Sequence, residues 1–82
     1  MNEYRLIFHW DPEHWTAIHV ANTRKGVCKY IDANITEMQD ALAQNIEEHG
    51  EDAYFSVVHY YNNAVMDVWH GTPDELYAYL VD

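Results

Sequence analysis

At 82 residues the chain has room for one domain with one small core, burying about 60–65% of the surface that its unfolded form exposes. With 49% apolar and 22% charged residues it is composed like a folded protein, and no apolar run approaches the ~20 residues of a membrane helix. Four Lys and Arg stand against fourteen Asp and Glu, a net charge of −10 that argues against nucleic acid or an anionic membrane as a direct partner.

From Tyr4 to Trp10 the chain alternates, with Tyr4, Leu6, Phe8 and Trp10 on one side and Arg5, Ile7 and His9 on the other, which predicts a strand. Asp11-Pro12-Glu13-His14 reads as a turn, Trp15 to Ala21 as a second strand, and Asn22 to Gly26 as a loop. Val27 to Ile31 is short and β-rich and reads as a third strand.

Ile35, Met38, Leu42 and Ile46 then recur at helical spacing, Asn34 and Glu37 resemble a capping box, and Gly50 is placed to end the helix. On a wheel of 100° per residue, Glu37, Asp40, Gln44, Glu47 and Glu48 gather opposite the apolar side, so the helix is expected to show an acidic ridge to solvent.

Two strands follow, Tyr54 to Tyr61 and Ala64 to His70, joined by Asn62-Asn63, a pair suited to a type I′ turn. A tight turn sets Tyr60 opposite Val65, Val58 opposite Asp67, and Ser56 opposite Trp69. Tyr54, Tyr60, Val65, Asp67 and Trp69 would then share one face, with Phe55, Val57, His59, Met66, Val68 and His70 on the other. Thr72-Pro73-Asp74-Glu75 is a helix start, with Leu76, Tyr79 and Leu80 as the packed side. The expected fold is α+β in one domain, residues 1–82. It has an antiparallel sheet of about five strands with two helices on one face, in the order β-β-β-α-β-β-α.

The residue inventory speaks against catalysis and against a cofactor. His9 and His14 flank acidic residues, but no metal-ligand spacing is present. Ser56, the one serine, lies mid-strand without a nucleophile elbow, and no glycine cluster could cradle a phosphate. The lone Cys28 reads as a small buried hydrophobe and gives no sign of an oxidising compartment, so the expected location is the cytoplasm.

The arrangement of charge points to a protein partner instead. No Lys or Arg occurs from Tyr30 to Asp82, so the ridge lacks the Glu-to-Lys pairs of ordinary solvent-facing helices. Glu47 and Glu48, with Glu51 and Asp52 just beyond, crowd the negative end of the helix dipole. Three Trp and seven Tyr exceed what one small core requires, and the aromatic face of the last hairpin suits either a partner surface or a homodimer.

In size, in its acid-only run from Asp32 to Asp82, and in the carboxylates Glu37, Asp40, Glu47 and Glu48 on one helix face, the chain resembles the small acidic inhibitors of phages and mobile elements, of the anti-CRISPR and anti-restriction type. That resemblance implies an inhibitor in the host bacterial cytoplasm whose carboxylates mimic nucleic-acid phosphates at the basic site of a nuclease or effector complex. Glu37, Asp40, Glu47, Glu48, Glu51, Asp52, Tyr60, Asp67 and Trp69 are the candidate partner-binding residues. The alternatives are an immunity protein for a nuclease toxin and a structural or accessory homodimer.

Overall fold

The computed structural model describes residues 1–11, 13–49 and 53–81, and for Asp11 and His49 the backbone alone. Pro12 of the first turn, the helix-ending Gly50, and the candidate charges Glu51 and Asp52 lie outside the described residues.

Two strands, β1 (Asn2–Asp11) and β2 (His14–Ala21), lead into one long helix, α1 (Arg24–His49). The hairpin β3 (Tyr54–Tyr61) and β4 (Ala64–Gly71) and a short helix α2 (Pro73–Leu80) complete the chain. The sheet order is β2-β1-β3-β4, with every neighbouring pair antiparallel.

The fold is therefore α+β as expected, but with four strands rather than five and the order β-β-α-β-β-α. The segment expected as a third strand, Val27 to Ile31, is the beginning of α1. Val27, Cys28 and Ile31 are all buried, the spacing of one helix face; five residues are too few to separate a period of 2 from one of 3.6. Thr23 supplies the N-terminal cap, its Oγ1 accepting from the Gly26 N–H at 3.0 Å. The expected helix start at Asn34 is a kink within α1 instead (φ −120°, ψ 16°), where Asn34 Nδ2 donates to the Tyr30 carbonyl at 2.9 Å.

Both helices sit on one side of the sheet. Leu6, Val27, Ile31, Phe55, Val57, Leu76 and Leu80 are fully buried between the layers, joined by Tyr4, Cys28 and Met38. A bulge in β2 falls between the pairs Leu6–His19 and Ile7–Ala17, and the extra residue, Ile18, packs against this core.

The hairpin turns as expected at Asn62 and Asn63, both with positive φ (50° and 69°). Its register changes after two pairs, Tyr61 with Ala64 and Tyr60 with Val65. His59 then faces Asp67, leaving Met66 as a bulge residue, and from there Val58 pairs with Val68, Val57 with Trp69 and Ser56 with His70. One inserted residue exchanges the two faces of β4 relative to the expected pairing. Trp69 thus lies on the helix side, partly buried against the core, while Val68 and His70 lie on the opposite side. His59 and His70, expected on one face, are on opposite faces.

At α2 the capping box forms: Thr72 Oγ1 accepts from the Glu75 N–H, and Glu75 Oε1 accepts from the Thr72 N–H at 3.0 Å. Leu76 and Leu80 are buried as expected, but Tyr77 takes the packed position expected of Tyr79, which is half exposed. Positions 76, 77 and 80 form one helix stripe, and 79 falls off it. No described helix is long and apolar enough to cross a membrane.

Candidate functional site

The long α1 carries eight of the chain's eighteen charged side chains, and carries them against its own dipole. Arg24, Lys25 and Lys29, expected in a loop and a strand, occupy its first two turns, where a helix favours acids. Its first turn contains no acid, and its last turn holds Glu47 and Glu48, where a helix favours bases. The side chains therefore add to the backbone field, and the helix runs from a positive end to a negative one.

Glu37, Asp40, Glu47 and Glu48 are all exposed. Met38 and Leu42 point into the protein, and Asn45 Nδ2 donates to the Trp10 carbonyl at the end of β1 (2.9 Å), which fixes the inward side of this half of the helix. Asp40 and Glu47 lie across the axis from those three residues, while Glu37 and Glu48 lie on one flank, Glu37 lining a cavity with Phe8 and Ile18; together the four form an exposed ridge along one side of the helix. From Glu37 to Glu48 it spans roughly 16 Å at ~1.5 Å per residue. Gln44 Nε2 donates to Glu48 Oε1 at 3.1 Å, and Gln39 Nε2 to Asp74 Oδ2 at 2.9 Å, which ties the middle of α1 to the first turn of α2. Ile46, expected on the packed side, is partly exposed.

Of the other described candidates, Asp67, Tyr60 and Trp69 do not join this ridge. Asp67 is exposed on the edge strand β4, its carboxylate 3.7 Å from His59 Nδ1, a buried nitrogen without a hydrogen-bond partner. Tyr60 lies on the helix-free face beneath the Arg5 guanidinium, 4.5 Å from its ring centroid. Trp69 lies on the other side of the sheet, with the Arg24 guanidinium 5.2 Å from its ring. The aromatic cluster expected of Tyr60 and Trp69 is therefore not assembled.

What the sequence did not reveal is the make-up of the helix-free face. Ile7 and Ser56 are buried near its centre, and around them stand Trp15, Ala17, Val20, Tyr54, Val58, Val65, Met66 and Val68. His9 Nε2 and Ser56 Oγ are 2.8 Å apart, the Tyr54 ring stacks on His9 with centroids 4.3 Å apart, and His70 meets Tyr54 edge-on at 5.7 Å. Burial, and secondarily the proximity of His70, hold the His9 pKa below its ordinary value. The alternation Arg5-Ile7-His9 carried this signal in part; the bulges that decide the composition of the outer strands did not show in the sequence.

Among the described residues, two cavities are lined from the helix side. One of about 630 Å³ separates the start of α1 from the end of α2 and is lined by Lys25, Cys28, Lys29, Asp32 and Tyr77. Burial raises the Cys28 thiol pKa there, against the lowering field of Arg24. A smaller one of about 150 Å³ beside the kink of α1 is lined by Phe8, Ile18, Tyr30 and Met38 among others. Among the described residues no group of three or more His, Cys, Asp or Glu is placed to hold a metal ion.

A scan of protein-family models, a search of curated proteins and a search of solved structures each return no match to this chain.

Proposed function

We propose that this protein is a non-enzymatic inhibitor whose α1 ridge occupies the basic, nucleic-acid-binding site of a nuclease or effector complex. One observation carries the reading: Glu37, Asp40, Glu47 and Glu48 are exposed along one side of a single helix, in a chain with no Lys or Arg after Lys29. Such a row presents negative charge along a line, as a nucleic-acid strand does. Its ~16 Å length matches several phosphates at ~3.4 Å of axial rise per strand. The absence of balancing bases steers the ridge toward cationic surfaces and away from nucleic acid itself. Glu51 and Asp52 follow in sequence and add to the same charge.

The test is capture from nuclease-treated bacterial lysate at about 50 mM and about 500 mM salt, with added duplex DNA or RNA as competitor. The expected result is retention of nucleic-acid-binding proteins at low salt, loss at high salt, and displacement by the competitor. Reversing Glu37, Asp40, Glu47 and Glu48 to Lys should abolish capture while far-UV circular dichroism stays unchanged. Equal capture by the reversed variant, or indifference to added nucleic acid, would defeat the proposal.

A further inference from the structure

The helix-free face of the sheet is a second surface, chemically unlike the ridge. Trp15, Val20, Val65, Met66 and Val68 stand on it between 45 and 60% exposed, though each is a residue type that folding normally hides. They surround the buried Ile7 and Ser56, so the apolar area is continuous from one edge strand to the other. A folded monomer of this size rarely leaves such a face to water.

Charge decides what can cover it. Among the described side chains, the fixed charges that strand pairing places on this face are Glu3 and Arg5, which pair with each other, Arg5 Nε donating to Glu3 Oε2. The ridge carboxylates and the bases of α1 lie on the other side of the sheet. Among the described side chains, a basic partner would find no carboxylate here to meet beyond the one already paired. A second copy of the same chain would meet a nearly neutral surface like its own.

We propose that two copies of this chain associate face to face through the helix-free side of the sheet. Two-fold symmetry makes the patch its own complement, the apolar side chains of one copy meeting those of the other. Sheets stack ~10 Å apart and each helix layer adds ~10 Å outside its sheet, which puts the two α1 helices ~30 Å from each other. That distance is several Debye lengths at physiological salt (~8 Å), so two chains of charge −10 pair without their ridges repelling. Four strands of about eight residues offer about 500 Å² of flat area per copy, hence roughly 1,000 Å² in the pair, the lower bound of a specific interface. The pair displays one acidic ridge on each outer side. This association stands or falls independently of what the ridge binds.

Sedimentation velocity of the full chain from about 1 to about 100 µM tests it. The expected result is a concentration-dependent monomer–dimer equilibrium that persists at about 0.5 M salt, because apolar burial is not screened. Val68→Glu on β4 and Val20→Glu on β2, each on an edge strand and already exposed, should weaken dimerisation at least ~10-fold with circular dichroism unchanged. Glu47→Lys with Glu48→Lys, on the far side, should leave it intact. A wild-type monomer at 100 µM would overturn the proposal. So would a dimer that survives both valine substitutions, or one that dissociates in salt or on reversal of the α1 charges.

Discussion

Glu47 and Glu48 sit in the last turn of α1, where the carbonyl ends of the helix already concentrate negative charge. Replacing both with Gln keeps side-chain length and, at 48, an acceptor for Gln44 Nε2. Each exposed carboxylate at such a position costs ~0.3–1 kcal/mol at low salt, so the double variant should be more stable by ~1 kcal/mol. For a domain of this size that raises the Tm by ~4–8 °C. The assay is thermal unfolding followed by circular dichroism at about 20 mM salt, repeated at about 1 M salt, where a Debye length of ~3 Å should erase most of the gain. Asp40→Asn, in the middle of the segment that follows the Asn34 kink, should give no such gain. Partner capture should fall in the same double variant whose stability rises. Opposite signs for the two readouts would mean that the acids are kept at the expense of the fold. An unchanged or lower Tm at low salt would refute the reasoning, showing that the surroundings already compensate these charges.

Three further outcomes follow from individual sites. His9 has a folded-state pKa below its unfolded value of ~6.5, so both states hold it neutral above that pH. As the pH falls from there through the folded pKa, the unfolded chain takes up a proton that the folded one refuses, and stability declines by up to ~1.4 kcal/mol per pH unit. Denaturant midpoints at pH 7.5 and pH 5 should therefore differ more for wild type than for His9→Gln, and an equal pH dependence in both would count against this account. Gly71 has φ +152°, and a Cβ there would meet the Glu75 carboxylate at 3.0 Å; Gly71→Ala should cost ~2 kcal/mol, read as a lower denaturant midpoint, by combining backbone strain with a disturbed capping box. Cys28, buried against Val27 and Ile31 in the core, should resist alkylation at pH 8 in the native protein and react at the free-thiol rate once unfolded; fast native labelling would show that the cleft beside it opens.

Where one periodicity held over a long enough run, or a turn had its own chemistry, the sequence sufficed. The alternation of Tyr4, Leu6 and Phe8 marks β1 because their burial on a single face demands it. The Asn62-Asn63 turn and the Thr72–Glu75 box are local and need no tertiary partner. The ridge of Glu37, Asp40, Glu47 and Glu48 follows from helical spacing alone, since exposed charges answer to solvent.

Tertiary structure decided the rest. Val27 to Ile31 has the composition of a strand and becomes helix because Val27, Cys28 and Ile31 fill the space beneath the sheet together with Leu76 and Leu80. The bulges at Ile18 and Met66 depend on how two strands fit each other, and each shifts a strand's register by one residue. That shift sends Trp69 to the core side and Val68 to the open face, so the apolar surface of the helix-free side exists only in the paired sheet. Charge is a property of the chain and could be read along it; the face on which a side chain stands belongs to pairs of strands and required the fold.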